Sequence, residues 1–247
     1  TKNGLNRYDG RDFLKFTHNP DDPFSISDDQ VWALEEQEDF LLIATGAGVL
    51  DFFHKKSRRF FHLPLVAGNT LNAPYTQNIF IDAQQHIWLV TGEFNGLRQI
   101  CVIRLPEHFW EGLASNPERV SSLKPEFIPA TKVYSAVMDQ DRNSLVFNAE
   151  NACYRLDTRS LQQTPIHWPA GVRPINLHLG GEGKIWCALG TWLSCFDGNT
   201  FQDFVLDFPA VQFEGVIASK HALIASEGEL LAIPIAKIFA SGRVNKS

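Results

Sequence analysis

The side chains best suited to catalysis are three glutamates, Glu93, Glu150 and Glu227, each placed just after a compact apolar run: His86 to Thr91, Ser144 to Asn148 and Ala222 to Ser226. Carboxylates gathered around a cleft supply the acid, base or nucleophile of glycoside hydrolysis. A solvated hairpin loop also places polar residues there, and that plainer reading outweighs the catalytic one. The eight histidines are scattered, without H-x-H, H-E-x-x-H or a His and Cys pair at ligand spacing, so no metal and no cofactor is expected. There is no G-x-S-x-G nucleophile elbow. Gly46-Ala-Gly48 lacks the third glycine and following helix of a dinucleotide fingerprint, and Gly181-Glu-Gly-Lys184 is followed by Ile185 where a phosphate loop needs Ser or Thr. Both read as turns between strands. The aspartates of Asn19-Pro-Asp-Asp-Pro23 lack the frame and distal Glu of a calcium loop, and the prolines and Asx residues favour a structural turn.

A second constellation suits binding. Asn69, Asn72 and Tyr75 enter the run Asn78 to Asp82, while Glu93, Asn95 and Arg98 lie in and after the polar loop Gly92-Glu-Phe-Asn-Gly96. Together they offer an aromatic face, amides and charges, which suit a small polar ligand such as a saccharide. Solvated loop residues are the competing reading. The six can converge only if the inbound link and the hairpin open on one face, so the elements that carry them decide the matter.

Those elements repeat. Asp39 to Thr45, Gln85 to Thr91, Asn143 to Asn148, Gly183 to Ala188 and His221 to Ser226 align as second strands, with landmarks Leu42, Trp88, Val146, Trp186 and Ile224. Their spacing falls near the ~40 to 50 residues of a four-stranded propeller blade. Nineteen Phe and six Trp against one Met fit many short, half-buried strands. The expected fold is therefore all-β: a β-propeller of four-stranded antiparallel blades, about five plus a partial one, forming one domain or a fragment of a larger propeller. Trp88 and Trp186 should be buried equivalents. The long interval after Trp88 holds a helical insertion at 106–115, opened by Pro106 and Glu107, with Phe109, Trp110 and Leu113 spaced to pack one side of it on the blades. A parallel helix is expected at 234–241.

Composition excludes several partners. A formal charge of −6, with Lys55-Lys-Ser-Arg-Arg59 as the one dense basic run, excludes a nucleic-acid footprint. No apolar stretch approaches the ~20 residues of a membrane span, so no membrane contact is expected within these residues. Cys101, Cys153, Cys187 and Cys195 lie in apolar runs without a C-x-x-C pair and read as buried free thiols, with a bridge between Cys187 and Cys195 the alternative.

The run Gly4-Leu-Asn-Arg-Tyr-Asp9, the turn Asn19-Pro-Asp-Asp-Pro-Phe-Ser-Ile-Ser27 and the strand Val31-Trp-Ala-Leu34 together resemble the two-component regulator propeller repeat. Trp88 and Trp186 match its strand-two tryptophan; Val146 and Ile224 depart from it. The resemblance implies the periplasmic sensor part of a hybrid histidine kinase or related membrane-anchored regulator, non-catalytic in itself, that relays ligand binding to a cytoplasmic output domain. It also implies self-association through the parent chain. A rigid interaction scaffold is the alternative, and a propeller enzyme a third reading. Because the amino-terminal pair Leu5 to Tyr8 and Phe13 to Phe16 reads as the outer half of a blade, an incomplete ring with an open edge is expected.

Overall fold

Each alternating run forms a strand, and each repeat folds into a meander of antiparallel neighbours. The computed structural model describes residues 2–65, 75–92, 98–128, 132–139, 141, 143–149, 152–167, 177–180, 183–210, 212–217, 220–226 and 229–244. The fold is all-β, of propeller-blade sheets. It divides into two compact units, Thr1–Lys132 and Val133–Ser247.

In the first unit β1 (Leu5–Tyr8) and β2 (Phe13–Phe16) form a two-stranded sheet with mostly exposed side chains. Gly4 precedes it at φ 76°, and any Cβ there would collide with the Phe16 carbonyl, so only glycine fits. The proline-rich segment is a structural turn, as expected. Asn19 Oδ1 accepts the Asp21 N–H at 3.1 Å, Asp22 Oδ1 accepts the Phe24 N–H at 2.9 Å, and Ile26 beyond them is fully buried. Blade one is β3 (Val31–Gln37), β4 (Phe40–Thr45), β5 (Val49–His54) and β6 (Arg59–Pro64), paired in that order. Blade two is β7 (Tyr75–Ile81), β8 (Ile87–Gly92), β9 (Arg98–Ile103) and, after the insertion, β10 (Pro125–Ile128).

The insertion holds two short helices, α1 (Phe109–Leu113) and α2 (Glu118–Ser121), the second unforeseen. Phe109, Trp110 and Leu113 are buried among Phe40, Phe52 and Leu63, so the insertion completes the core of blades one and two. Each fully buried side chain of this size contributes roughly 1.5–3 kcal/mol.

The second unit has blade three as β11 (Val133–Met138), β12 (Ser144–Ala149), β13 (Ala152–Asp157) and β14 (Gln163–Ile166). Blade four is β15 (His178–Leu179), β16 (Ile185–Phe196) and β17 (Phe201–Ala210). The run Gly183 to Ala188, aligned above as a second strand, lies at the start of the longer β16, whose register against β17 shifts between Gly190 and Trp192. A three-stranded sheet follows, β18 (Gln212–Ile217), β19 (His221–Ser226) and β20 (Glu229–Pro234), then α3 (Ile235–Ser241). Ile238 and Phe239 of α3 pack with Trp186 and Phe204, so a helix follows a third strand twice in the chain. Beyond α3 the two-residue β21 (Arg243–Val244) adds a parallel edge to β17.

Trp88 and Trp186 are buried, at 0% and 1% exposure, as the repeat alignment requires. All four cysteines are buried and free, so the Cys187 to Cys195 bridge is not formed.

Candidate functional site

Of the six expected ligand residues, Asn69, Asn72, Glu93 and Asn95 lie outside the described residues, as do Glu150 and Glu227. Tyr75 and Arg98 are placed by the sheet of blade two. Tyr75 pairs with Gly92, and Gly92 with Arg98, so one row across three strands carries both positions. At ~4.8 Å per strand the two backbones stand ~10 Å apart. Gly92 between them is constrained by the ring: a Cβ would lie 2.7 Å from Tyr75 Cζ, so glycine lets the phenol lie flat across β8.

The partner that sequence reasoning missed is Trp32. Its indole lies 5.5 Å from the Tyr75 ring at 43°, and it is 42% exposed. β3 and β7, the first strands of blades one and two, bring the two rings together. Trp32 is aimed by backbone geometry. Val31 pairs with Thr45 and Ala33 with Ala44, which makes Trp32 the extra residue of a β-bulge. Bulges re-aim a side chain and bend the strand. The same irregularity recurs in the first strand of three other sheets, at Gln77, Tyr134 and Glu214. Tyr134, at 44% exposure, is a second bulged aromatic. A large aromatic at a solvent-facing place of the Val31-Trp-Ala-Leu34 strand was the available signal.

The entry into β3 is held by a polar network around Asp51, which is fully buried. Its Oδ2 accepts the Ser27 N–H at 2.8 Å and the Ser27 hydroxyl at 2.9 Å, and its Oδ1 faces His62 Nδ1 at 2.7 Å. Ser27 Oγ also lies 2.7 Å from Thr45 Oγ1, the residue opposite Val31. The hydrogen bond to Asp51 holds the His62 pKa above the ordinary imidazole value against the opposing effect of burial. At the same end Gln30 accepts the Gly46 N–H at 2.8 Å through its carbonyl, and its own N–H bonds Asp28 Oδ1 at 2.6 Å. The bulge thus sits on a fixed base, with amide and carboxylate groups at its edge.

Chemically this is a stacking ledge bordered by polar groups. An aromatic face beside hydrogen-bonding side chains can hold a ring that carries hydroxyls. No nucleophile is offered by the thiols: burial pushes Cys101, Cys153 and Cys195 up to about 12 and raises Cys187 also. Among the described residues no three His, Cys, Asp or Glu side chains gather to hold a metal ion.

No family model matches the chain, and no curated protein matches it. Solved structures do. The extracellular domain of the putative hybrid two-component system BT3049 from B. thetaiotaomicron matches with a TM-score of 0.62 at 16% identity, over 96% of this chain and 32% of that one. The corresponding domain of BT4673 from B. thetaiotaomicron matches at 0.52 and 11% identity, over 98% of this chain and 38% of that one. A catalytically inactive virginiamycin B lyase from Staphylococcus aureus, solved with quinupristin, matches at 0.53 and 11%, over 83% of this chain and 70% of that one. At these identities the likeness is one of fold, and it spans extracellular domains of two-component systems and a lyase alike. The chain spans about a third of the length of the two extracellular domains.

Proposed function

We propose that this chain is a ligand-sensing propeller portion of a two-component-type signalling protein, working outside the cytoplasm, and that a saccharide or similar small polar ligand docks on the Trp32–Tyr75 ledge. The observation that carries the reading is the exposed Trp32, fixed on a bulge 5.5 Å from Tyr75 over a buried polar network. Large aromatics held exposed and rigid present binding surface at low entropic cost. Two further points support it. The fold is shared with extracellular domains of two hybrid two-component systems. The Gly4 to Asp9 strand and the Asn19 to Ser27 turn carry the regulator-repeat pattern. No helix among the described residues is long and apolar enough to cross a membrane, so an anchor and an output domain belong to the rest of a parent protein in this reading. The domain itself is non-catalytic, and relay requires only that ligand bind one arrangement of the parent better than another.

Calorimetric titration with a panel of oligosaccharides tests this. A binding glycan should lose ~5- to 30-fold in affinity with Trp32→Ala, equivalent to ~1–2 kcal/mol, while melting shifts by less than ~0.5 kcal/mol. A glycan that binds both proteins equally would remove the ledge from the site. The scaffold reading has its own observation: Phe13 and Tyr8, 70% and 58% exposed, stack at 4.7 Å on the β1–β2 sheet. Binding to another protein that is lost in Phe13→Ser but kept in Trp32→Ala would favour it.

A further inference from the structure

Two glycines tie a further side chain to the Trp32–Tyr75 ledge. Val31 opposite Thr45 in blade one corresponds to Thr76 opposite Thr91 in blade two. One residue earlier Tyr75 pairs with Gly92, and at the same place in blade one the Gly46 N–H donates to the Gln30 carbonyl at 2.8 Å. Gln30 is therefore the counterpart of Tyr75. Each of the two side chains lies across the glycine opposite it. A Cβ on Gly92 would stand 2.7 Å from Tyr75 Cζ, and one on Gly46 would stand 2.9 Å from Gln30 Oε1 and 3.0 Å from Gln30 Cβ. Neither glycine has a left-handed φ, so what glycine supplies at both places is clearance for the side chain above it.

Gln30 stands two residues before Trp32, which puts their Cα atoms within ~7 Å of each other along the strand. Its backbone is pinned, because its N–H donates to Asp28 Oδ1 at 2.6 Å. The same Oδ1 lies 3.4 Å from the place of a Gly46 Cβ, so a carboxamide and a carboxylate flank Gly46 on the approach to the indole. Both residues are only half-buried and can be reached by solvent.

Stacking and hydrogen bonding do different work on a sugar. The face of an indole accepts a pyranose ring through its C–H groups, largely whatever the orientation of the hydroxyls. A carboxamide carries a donor and an acceptor side by side and can bond two neighbouring hydroxyls only when they are presented together. Sites that bond a particular hydroxyl discriminate far more sharply than apolar contact does.

We infer that Gln30 is the specificity-determining residue of the ledge: its carboxamide bonds a pair of neighbouring hydroxyls on the sugar ring that stacks on Trp32. Asp28 is a positioning residue, which fixes the Gln30 backbone, and Gly46 leaves the room in which the amide lies. The inference rests on the ledge being the ligand site.

Calorimetry with cellobiose, lactose and β-mannobiose, whose rings are epimers of one another, tests it on the full chain. Gln30→Met keeps the length of the side chain and removes the amide, so melting should be unchanged. The sugar that the native chain binds best should lose ~tenfold or more in Gln30→Met and the others less than ~threefold, so that the ranking flattens. Gly46→Ala, which drives the amide from its seat, should flatten the ranking in the same way. Trp32→Ala should weaken every sugar that binds by a similar factor and leave the ranking in place. A native ranking retained in Gln30→Met, with binding still lost in Trp32→Ala, would overturn the inference and keep the ledge. Binding indifferent to Trp32→Ala, or absent for all three sugars, would remove the ledge and the role of Gln30 with it.

Discussion

Blades two and three solve one problem with different residues. In blade two Asp82, fully buried, follows β7. Its Oδ1 accepts the Gln84 and His86 N–H groups at 2.9 and 2.8 Å, and its Oδ2 accepts the Trp88 indole N–H at 2.9 Å. In blade three Asp139 follows β11 in the same place, with Val146 where Trp88 stands. There Oδ1 accepts the Asn143 N–H at 2.9 Å, and the second oxygen takes the Ser144 hydroxyl at 2.6 Å. Asp139 is only half-buried. The strand-two tryptophan is thus more than core volume: it is the donor that allows a carboxylate to be sealed away from water. Where valine replaces it, a hydroxyl at the position of His86 takes over and the carboxylate stays wetter. Blade four dispenses with the carboxylate, for Gly180 occupies the place of Asp82 and bonds the Lys184 carbonyl at 2.7 Å through its N–H.

The largest effect should come from Trp88→Ala. Loss of a buried Trp costs ~3–5 kcal/mol, and here it also strips the Asp82 carboxylate of a donor. Denaturant unfolding should show a badly weakened or unfolded chain. Trp88→Phe separates the two roles, because it keeps most of the ring and deletes the N–H; a loss of ~1–3 kcal/mol is expected. Stability unchanged in Trp88→Phe would reduce the tryptophan to a space-filler and dissolve the contrast with blade three.

The next test compares the carboxylates directly. Asp82→Asn places an amide among three donors in a dry site and should cost ~1.5–3 kcal/mol, since hydrogen bonds to charged groups are the stronger kind. Asp139→Asn, half-solvated with two donors, should cost ~0.5–1.5 kcal/mol. Equal losses in thermal melts would mean that burial does not separate the two turns.

How much of this was legible beforehand follows the range of each interaction. Strand positions, the buried Trp88 and Trp186 and the inward face of the insertion were readable, because alternation and the repeat period are local signals. The bulge at Trp32 was not, since one extra residue on β3 shows only against the pairing on β4. β21 has two residues and owes its existence to the edge of β17. Of the expected ligand set, Tyr75 and Arg98 fall in one row, and Tyr75 meets Trp32.

The smallest effect concerns the other fully buried aspartate, Asp51 of blade one, whose donors come from afar and include a titratable one. Asp82 is bonded by groups that do not titrate near neutrality, whereas Asp51 is bonded by Ser27 and His62. His62 Nε2 also lies 3.0 Å from the Pro23 carbonyl, so both ring nitrogens face acceptors. That arrangement favours the imidazolium, in keeping with the raised pKa. The sign follows from linkage: a histidine whose pKa is higher folded than unfolded stabilises fully below its unfolded value, ~6.5, and loses that contribution as pH climbs through the folded value. With a side chain 31% exposed the gain should stay under ~1 kcal/mol. Melting temperature should therefore sag slightly from pH 6 towards pH 8, and hydrogen exchange at the Ser27 amide should quicken over the same interval. In His62→Gln both trends should flatten, because an amide can bond Asp51 but cannot gain a proton. A pH profile identical in the two proteins would show that the tie between the Asn19 to Ser27 turn and blade one is indifferent to charge, and would leave Asp51 no different in kind from Asp82.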